Sequence, residues 1–144
     1  MECTINFIID PKEIDNIFKD FKQGNPFTLK NNLKKVQKKY LFDNQELYST
    51  LAQELQVAYK NIKRNDIIYE SKKNIKIAIL KFRMPGLDSK TSKRDGFRIV
   101  SLIDKENDMF YLLDIYSHSQ GKDNLTDTEK NKVKKLCEEY AESL

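Results

Sequence analysis

Six cationic side chains, Lys81, Arg83, Lys90, Lys93, Arg94 and Arg98, fall within 18 residues of the chain. Positive charge at that density, held on a rigid frame, is suited to gripping an anion. The wider balance points the same way. Ser71 to Lys105 carries ten Lys/Arg against three Asp/Glu, an excess of +7 in a chain of net charge +4, which leaves −3 for the rest. A basic centre on a nearly balanced frame implies an anionic partner at one surface. A solvated face in a lysine-rich protein would give the same count, and charge alone divides evenly between the two. His118 is the only histidine and so the only side chain whose ordinary pKa lies near neutrality. One histidine and no ligand-spaced cluster speak against a metal centre. Cys3 and Cys137 match no metal or redox spacing and read as small buried side chains in a reducing compartment.

These residues need a frame, and the stretch Ile75–Tyr116 supplies it. Three strand-like runs, Ile75–Phe82, Phe97–Ile103 and Met109–Tyr116, are joined by a polar, basic link at Met84–Gly96 and by the turn-forming Asp104–Asp108. The reading is a three-stranded antiparallel meander with a basic loop at one end. Ile75, Ile77 and Ile79 alternate with Lys76 and Ala78, which predicts a strand with one buried face. Lys81 and Arg83 share the parity of those isoleucines, so a bulge or the end of the sheet must release them to solvent.

The flanking segments complete an α+β domain over residues 1–144, with an N-terminal strand and helices at 1–66 and a sheet core and C-terminal helix at 67–144. Thr4–Ile9 is an edge-strand candidate. Asp10-Pro11 reads as a helix start, followed by Ile14, Ile17, Phe18 and Phe21 at helical spacing. Thr28 is placed to cap a second helix, with Leu29, Leu33, Val36 and Tyr40 on one face and lysines on the other. Asp43 or Asn44 opens a third, with Leu47, Leu51, Leu55, Tyr59 and Ile62 among its apolar residues. The last two form a hairpin packed on the sheet. Lys63–Asp66 is a polar break, and Ile67–Tyr69 a further short strand. Thr126 and Glu129 have capping-box spacing ahead of Val133, Leu136, Cys137, Tyr140 and Ala141 on one helix face. An apolar content of 39% with 10% aromatics excludes a disordered chain. No apolar run approaches the roughly 20 residues of a membrane span. Met1–Asp10 lacks the basic start and apolar core of a secretory signal, so a cytoplasmic location is expected.

Four motifs then occur in order: Leu80-Lys81-Phe82-Arg83-Met84-Pro85, Lys93-Arg94-Asp95-Gly96-Phe97-Arg98-Ile99-Val100, Tyr111-Leu112-Leu113-Asp114-Ile115-Tyr116, and Asn124-Leu125-Thr126 with Glu129. Together, over Ile67 to about Tyr140, they resemble the RelE/HigB toxins of bacterial type II toxin–antitoxin systems. In that family a strand ending K-x-R precedes a basic loop, a G-G-x-R strand, a strand ending I-Y and an N-L-(S/T)-x-x-E helix start. Asp95-Gly96 stands here where the family has a glycine pair, and His118 lies in a loop where lysine or arginine is usual.

The resemblance implies a RelE-like fold, an antiparallel sheet with a mixed edge, N-terminal helices packed on it and a C-terminal helix. It implies a bacterial, cytoplasmic toxin acting as a ribosome-dependent mRNA endonuclease (an mRNA interferase) that inhibits translation. Its partners would be a cognate antitoxin, the ribosome and mRNA, without membrane, metal or small-molecule cofactor. The reaction is in-line attack of a ribose 2′-OH on the adjacent phosphate, leaving a 2′,3′-cyclic product. It needs a base, an acid and cations around the charged phosphorane. Arg98 matches the family arginine of the G-x-R strand, and a guanidinium can hold two phosphate oxygens while staying charged. Arg83 and Lys81 match the K-x-R strand end. His118 is the candidate general acid or base, and Tyr116 could stack on a base or assist proton transfer. Lys90, Lys93 and Arg94 suit docking on ribosomal RNA, and Lys122 is a further electrostatic candidate. Two other functions fit the same expected fold, a ParE-like DNA gyrase inhibitor and a non-catalytic nucleic-acid-binding protein. The cationic cluster with His118 favours the nuclease.

Overall fold

Alternating β-branched and aromatic residues in the centre of the chain form strands, and apolar stripes at helical spacing on either side cover them. The computed structural model describes residues 2–9, 27, 29–40, 42–84, 96–117 and 125–144. In chain order these form β1 (Thr4–Phe7), α1 (Leu29–Tyr40), α2 (Asn44–Lys60), a 3-10 turn (Arg64–Asp66), β2 (Ile67–Glu70), β3 (Ile77–Met84), β4 (Phe97–Asp104), β5 (Met109–Ser117) and α3 (Asp127–Ser143). The architecture is α+β. One five-stranded sheet has the order β1-β5-β4-β3-β2. β3, β4 and β5 are an antiparallel meander at its centre, β2 extends it antiparallel, and β1 joins β5 in parallel, so the sheet is mixed.

Helices lie on both faces. Leu33, Val36, Leu47, Leu51 and Leu55 from α1 and α2 pack on Ala78, Leu80, Ile99, Ile103 and Leu112. Val133, Leu136, Cys137 and Tyr140 from α3 pack on Ile77, Ile79, Val100, Leu102 and Leu113. Burying a large aliphatic side chain is worth roughly 1.5–3 kcal/mol, and both layers contribute. This corrects one expectation: β3 is buried on both faces, with Ile77, Ala78, Ile79 and Leu80 all buried. A covered central strand needs a continuous apolar run, and Ile77–Leu80 is one.

A second correction concerns where that strand begins. Ile75 is 75% exposed and lies in a turn. Ser71 Oγ accepts from the backbone N–H groups of Lys73 and Asn74, and Asn74 Oδ1 accepts from Lys76 N. These side-chain bonds close a turn over 72–76, so the strand starts at Ile77.

Caps fall where the sequence places them. Asp43 accepts from Glu46 N at 2.8 Å to open α2. Thr126 and Glu129 form a reciprocal capping box on α3, with bonds of 3.1 and 2.9 Å. The Asp104–Asp108 turn ends on Asp108 at φ 52°, a conformation Asp tolerates better than most residues. β1 is tied to α2 through Gln56, whose Oε1 accepts from Cys3 N at 3.0 Å while its Nε2 donates to Cys3 O. The helix start at Asp10-Pro11, the stripe Ile14–Phe21 and the cap at Thr28 lie outside the described residues. No helix among the described residues is long and apolar enough to cross a membrane.

Candidate functional site

The register of the meander aligns the candidate residues. Arg83 of β3 pairs with Arg98 of β4, and Arg98 pairs with Tyr116 of β5. Residues directly opposite one another share a face of the sheet, so these three form one row across three strands. The row stands one pair from the end where β3 leaves and β4 returns, at Met84 and Phe97. Lys81 lies two residues inward, opposite Val100. Val100 belongs to the core under α3, which fixes the face on which the row lies.

A bulge puts Tyr116 there. Val100 pairs with Asp114 but Ser101 pairs with Leu112, so Leu113 is an extra residue. Before the bulge, odd-numbered Tyr111 and Leu113 face α3; after it, Tyr116 joins that core and Ile115 joins the opposite one. One inserted residue reverses the parity of the strand. Without it Ile115, not Tyr116, would share the face of Arg98. Asp114, 2% exposed, holds the bulge: its Oδ1 accepts from Ile115 N at 2.9 Å and from Asn32 Nδ2 of α1 at 2.7 Å.

Access along the row is uneven. Arg83 is exposed and Lys81 half-buried. Arg98 and Tyr116 are each 3% exposed. The β3–β4 register is continuous, so no bulge releases Lys81 and Arg83. The end of the sheet does, because β2 pairing stops at Leu80. Phe97 packs inside and Phe82 is partly buried beside it. Lys90, Lys93, Arg94, His118 and Lys122 lie outside the described residues. The segments carrying them join the sheet at Met84, Gly96 and Ser117, beside the row.

The fold also brings in residues that the motifs do not mark. A cleft of about 390 Å³ between β2, β3 and α3 is lined by Ile68, Tyr69, Lys81, Lys130, Val133 and Lys134. Lys134 Nζ stands 5.9 Å from the centroid of the Tyr69 ring, a cation–π distance. Three lysines around an apolar floor suit an organic anion better than a bare ion. The available signal was the i, i+4 spacing of Lys130 and Lys134 beside the core residue Val133, which acquires meaning only once α3 is set against β3.

The cysteines have no part in such chemistry. Both are free and buried. Burial pushes the Cys137 thiol up to about 12, with Glu138 nearby adding to the rise, and burial also raises Cys3. Neither supplies a thiolate near neutral pH. Compared with protein-family models, curated proteins and solved structures, the chain matches none of them.

Proposed function

We propose that this chain is a RelE-like endoribonuclease, the toxin of a toxin–antitoxin pair, that cuts mRNA on the ribosome at the end of the sheet bearing Arg83, Arg98 and Tyr116. The observation that carries the reading is the row itself. Three residues chosen from separate sequence motifs stand opposite one another on three neighbouring strands. The order of elements, a strand, helices, the sheet and a C-terminal helix, agrees with the plan that the resemblance implies.

In this reading exposed Arg83 meets the scissile phosphate first. Buried Arg98 reinforces the positive field from the neighbouring strand, and such fixed charges stabilise a phosphorane strongly where water is excluded. The ribose 2′-oxygen attacks the adjacent phosphorus and gives up its proton to a base. The bond from phosphorus to the 5′-oxygen breaks, and that oxygen takes a proton. The products are a 2′,3′-cyclic phosphate and a 5′-hydroxyl. His118, next after strand residue Ser117, is assigned the proton transfer on its sequence position and chemistry. Tyr116, packed in the core at 3% exposure, backs Arg98 from the neighbouring strand and does not stack on a base. Lys81 and the lysine-lined cleft beside it hold the neighbouring backbone.

A second reading is favoured by one observation. Arg98 and Tyr116 are both nearly inaccessible, which suits a protein that binds nucleic acid without cutting it. A purified translation reaction on a defined mRNA, mapped by primer extension with and without ribosomes, separates the two. Ribosome-dependent cuts that vanish in Arg98→Ala and His118→Ala support the nuclease. RNA binding without cuts in either setting supports the binding protein.

A further inference from the structure

Helix α1 carries a second basic surface, on the other side of the sheet from the row. Its 12 residues include Lys30, Lys34, Lys35, Lys38 and Lys39 and no acidic residue. All five lysines are exposed. Lys30, Lys34 and Lys38 recur every four residues and form one line, spaced about 6 Å apart by the helical rise; Lys35 and Lys39 form a second line beside it. The helix opposite shows what an ordinary solvated face looks like in this protein: α3 balances Lys130, Lys132, Lys134 and Lys135 with Asp127, Glu129, Glu138, Glu139 and Glu142. On α1, no acidic side chain among the described residues forms an ion pair with Lys30, Lys34, Lys35 or Lys38. The helix dipole favours Lys38 and Lys39 in the last turn, disfavours Lys30 in the first, and does little for Lys34 and Lys35 between them. Helix-end electrostatics therefore accounts for only two of the five lysines.

We infer that the lysine face of α1 docks on the phosphate backbone of a nucleic-acid duplex. A membrane surface does not fit. The apolar side of α1, Leu29, Leu33 and Val36, is buried in the core at 1–4% exposure, and an interfacial helix needs that side for lipid. A protein partner fits poorly as well. The exposed large apolar side chains among the described residues are Val57, Ile68, Ile75 and Leu144, none of them on α1, whereas protein interfaces have an apolar centre. Nucleic-acid interfaces are polar and strongly positive. A duplex is preferred over a single strand because no aromatic residue on which an unpaired base could stack lies among the lysines from Lys30 to Lys39; Tyr40, the last residue of α1, follows them at the spacing of the apolar stripe Leu29, Leu33 and Val36. The surface also leads somewhere. In the last turn of α1, Lys39 Nζ lies 5.7 Å from the centroid of the Phe97 ring, and Phe97 precedes Arg98. A duplex lying along α1 would be held beside the sheet end that carries the row.

The test is equilibrium binding by fluorescence anisotropy, so it stands or falls separately from cleavage. The probes are a 20-base-pair RNA duplex, a DNA duplex of the same sequence and the single RNA strand, each titrated over a series of salt concentrations. The variant replaces Lys30, Lys34 and Lys38 with Gln. The control replaces Lys72, Lys76 and Lys105, exposed at the opposite end of the sheet, and so removes the same charge. The wild type is expected to bind duplex more tightly than single strand. The α1 variant should weaken duplex binding roughly tenfold or more at low salt and flatten the slope of log K against log salt by about 3, with an unchanged melting temperature, while the control keeps the slope. Equal loss in the two variants, tighter binding of the single strand, or no duplex binding by the wild type would overturn the inference. Comparable binding of RNA and DNA supports a backbone contact, and a preference for RNA supports one that also reads the 2′-hydroxyls.

Discussion

The two ends of the β3–β4–β5 meander are built in opposite ways. At the turn end, polar groups are buried and satisfied. Asp104 is fully buried, and its carboxylate accepts from Glu106 N, Asn107 N, Asn107 Nδ2 and Tyr140 Oη at 2.6–3.0 Å. Tyr140 in turn lies 3.3 Å from Tyr111 Oη. Burial, and then the bond to Asp104, pushes the Tyr140 phenol far above its ordinary range, so it stays a donor. Glu138 beside it accepts from Tyr69 Oη and Lys72 N. At the other end two arginines, Arg83 and Arg98, stand opposite one another, and in the paired rows from Lys81–Val100 outward the one acidic residue is buried Asp114, opposite Val100. Like charges directly opposite destabilise a sheet. Two arginines set opposite one another, on a frame whose far turn is held by buried hydrogen bonds, are the arrangement that the proposed anion site requires.

Substitutions can break that contrast, and the largest expected effect is at the turn end. Asp104→Ala should lower the unfolding free energy by about 3–5 kcal/mol, because it strands buried donors from the turn and from α3. Urea denaturation measures it, and a loss below about 1 kcal/mol would mean that the network does not hold that end. Tyr140→Phe keeps the ring against Tyr111 and removes one bond, and should cost about 1–2 kcal/mol in the same assay. A pH series probes Glu138. Burial raises its pKa, but the Lys72 N–H, the Tyr69 hydroxyl and its other partners outweigh this and hold it below the usual carboxylate range. Its folded pKa is therefore the lower one. The stability it contributes is present above the unfolded pKa and is lost as pH falls through the folded one. Glu138→Gln should flatten the acid limb of the stability curve and leave its slope near neutrality unchanged. The smallest effect is expected at the cationic end: Arg83→Ala, at an exposed position, should change stability by no more than about 0.5 kcal/mol in either direction.

The same contrast separates what the sequence made readable from what it did not. The meander, the capping box at Thr126 and Glu129 and the cap at Asp43 are set by neighbouring residues, and each forms where the spacing places it. The Arg83–Arg98 pairing follows once two strands of known phase are joined at one end. The face of Tyr116 does not, because a single extra residue at Leu113 reverses its parity and nothing in the run Tyr111–Tyr116 announces a bulge. Ile75 misled because its parity matches Ile77 and Ile79, while the turn chemistry of Ser71 and Asn74 takes it out of the strand. Burial of β3 on both faces depends on helices distant in sequence, and so does the cleft that unites Tyr69 and Lys81 with Lys130 and Lys134.

Single-turnover cleavage of a ribosome-bound mRNA, with the new ends identified by mass, tests the central claim most directly. Wild type should yield 2′,3′-cyclic phosphate ends. Arg83→Ala should slow the reaction on the order of a hundredfold with its fold intact, and Lys76→Ala at the turn end should match the wild type. Cleavage at the wild-type rate in Arg83→Ala, or an equal loss in Lys76→Ala, would contradict the assignment of chemistry to the cationic end of the sheet.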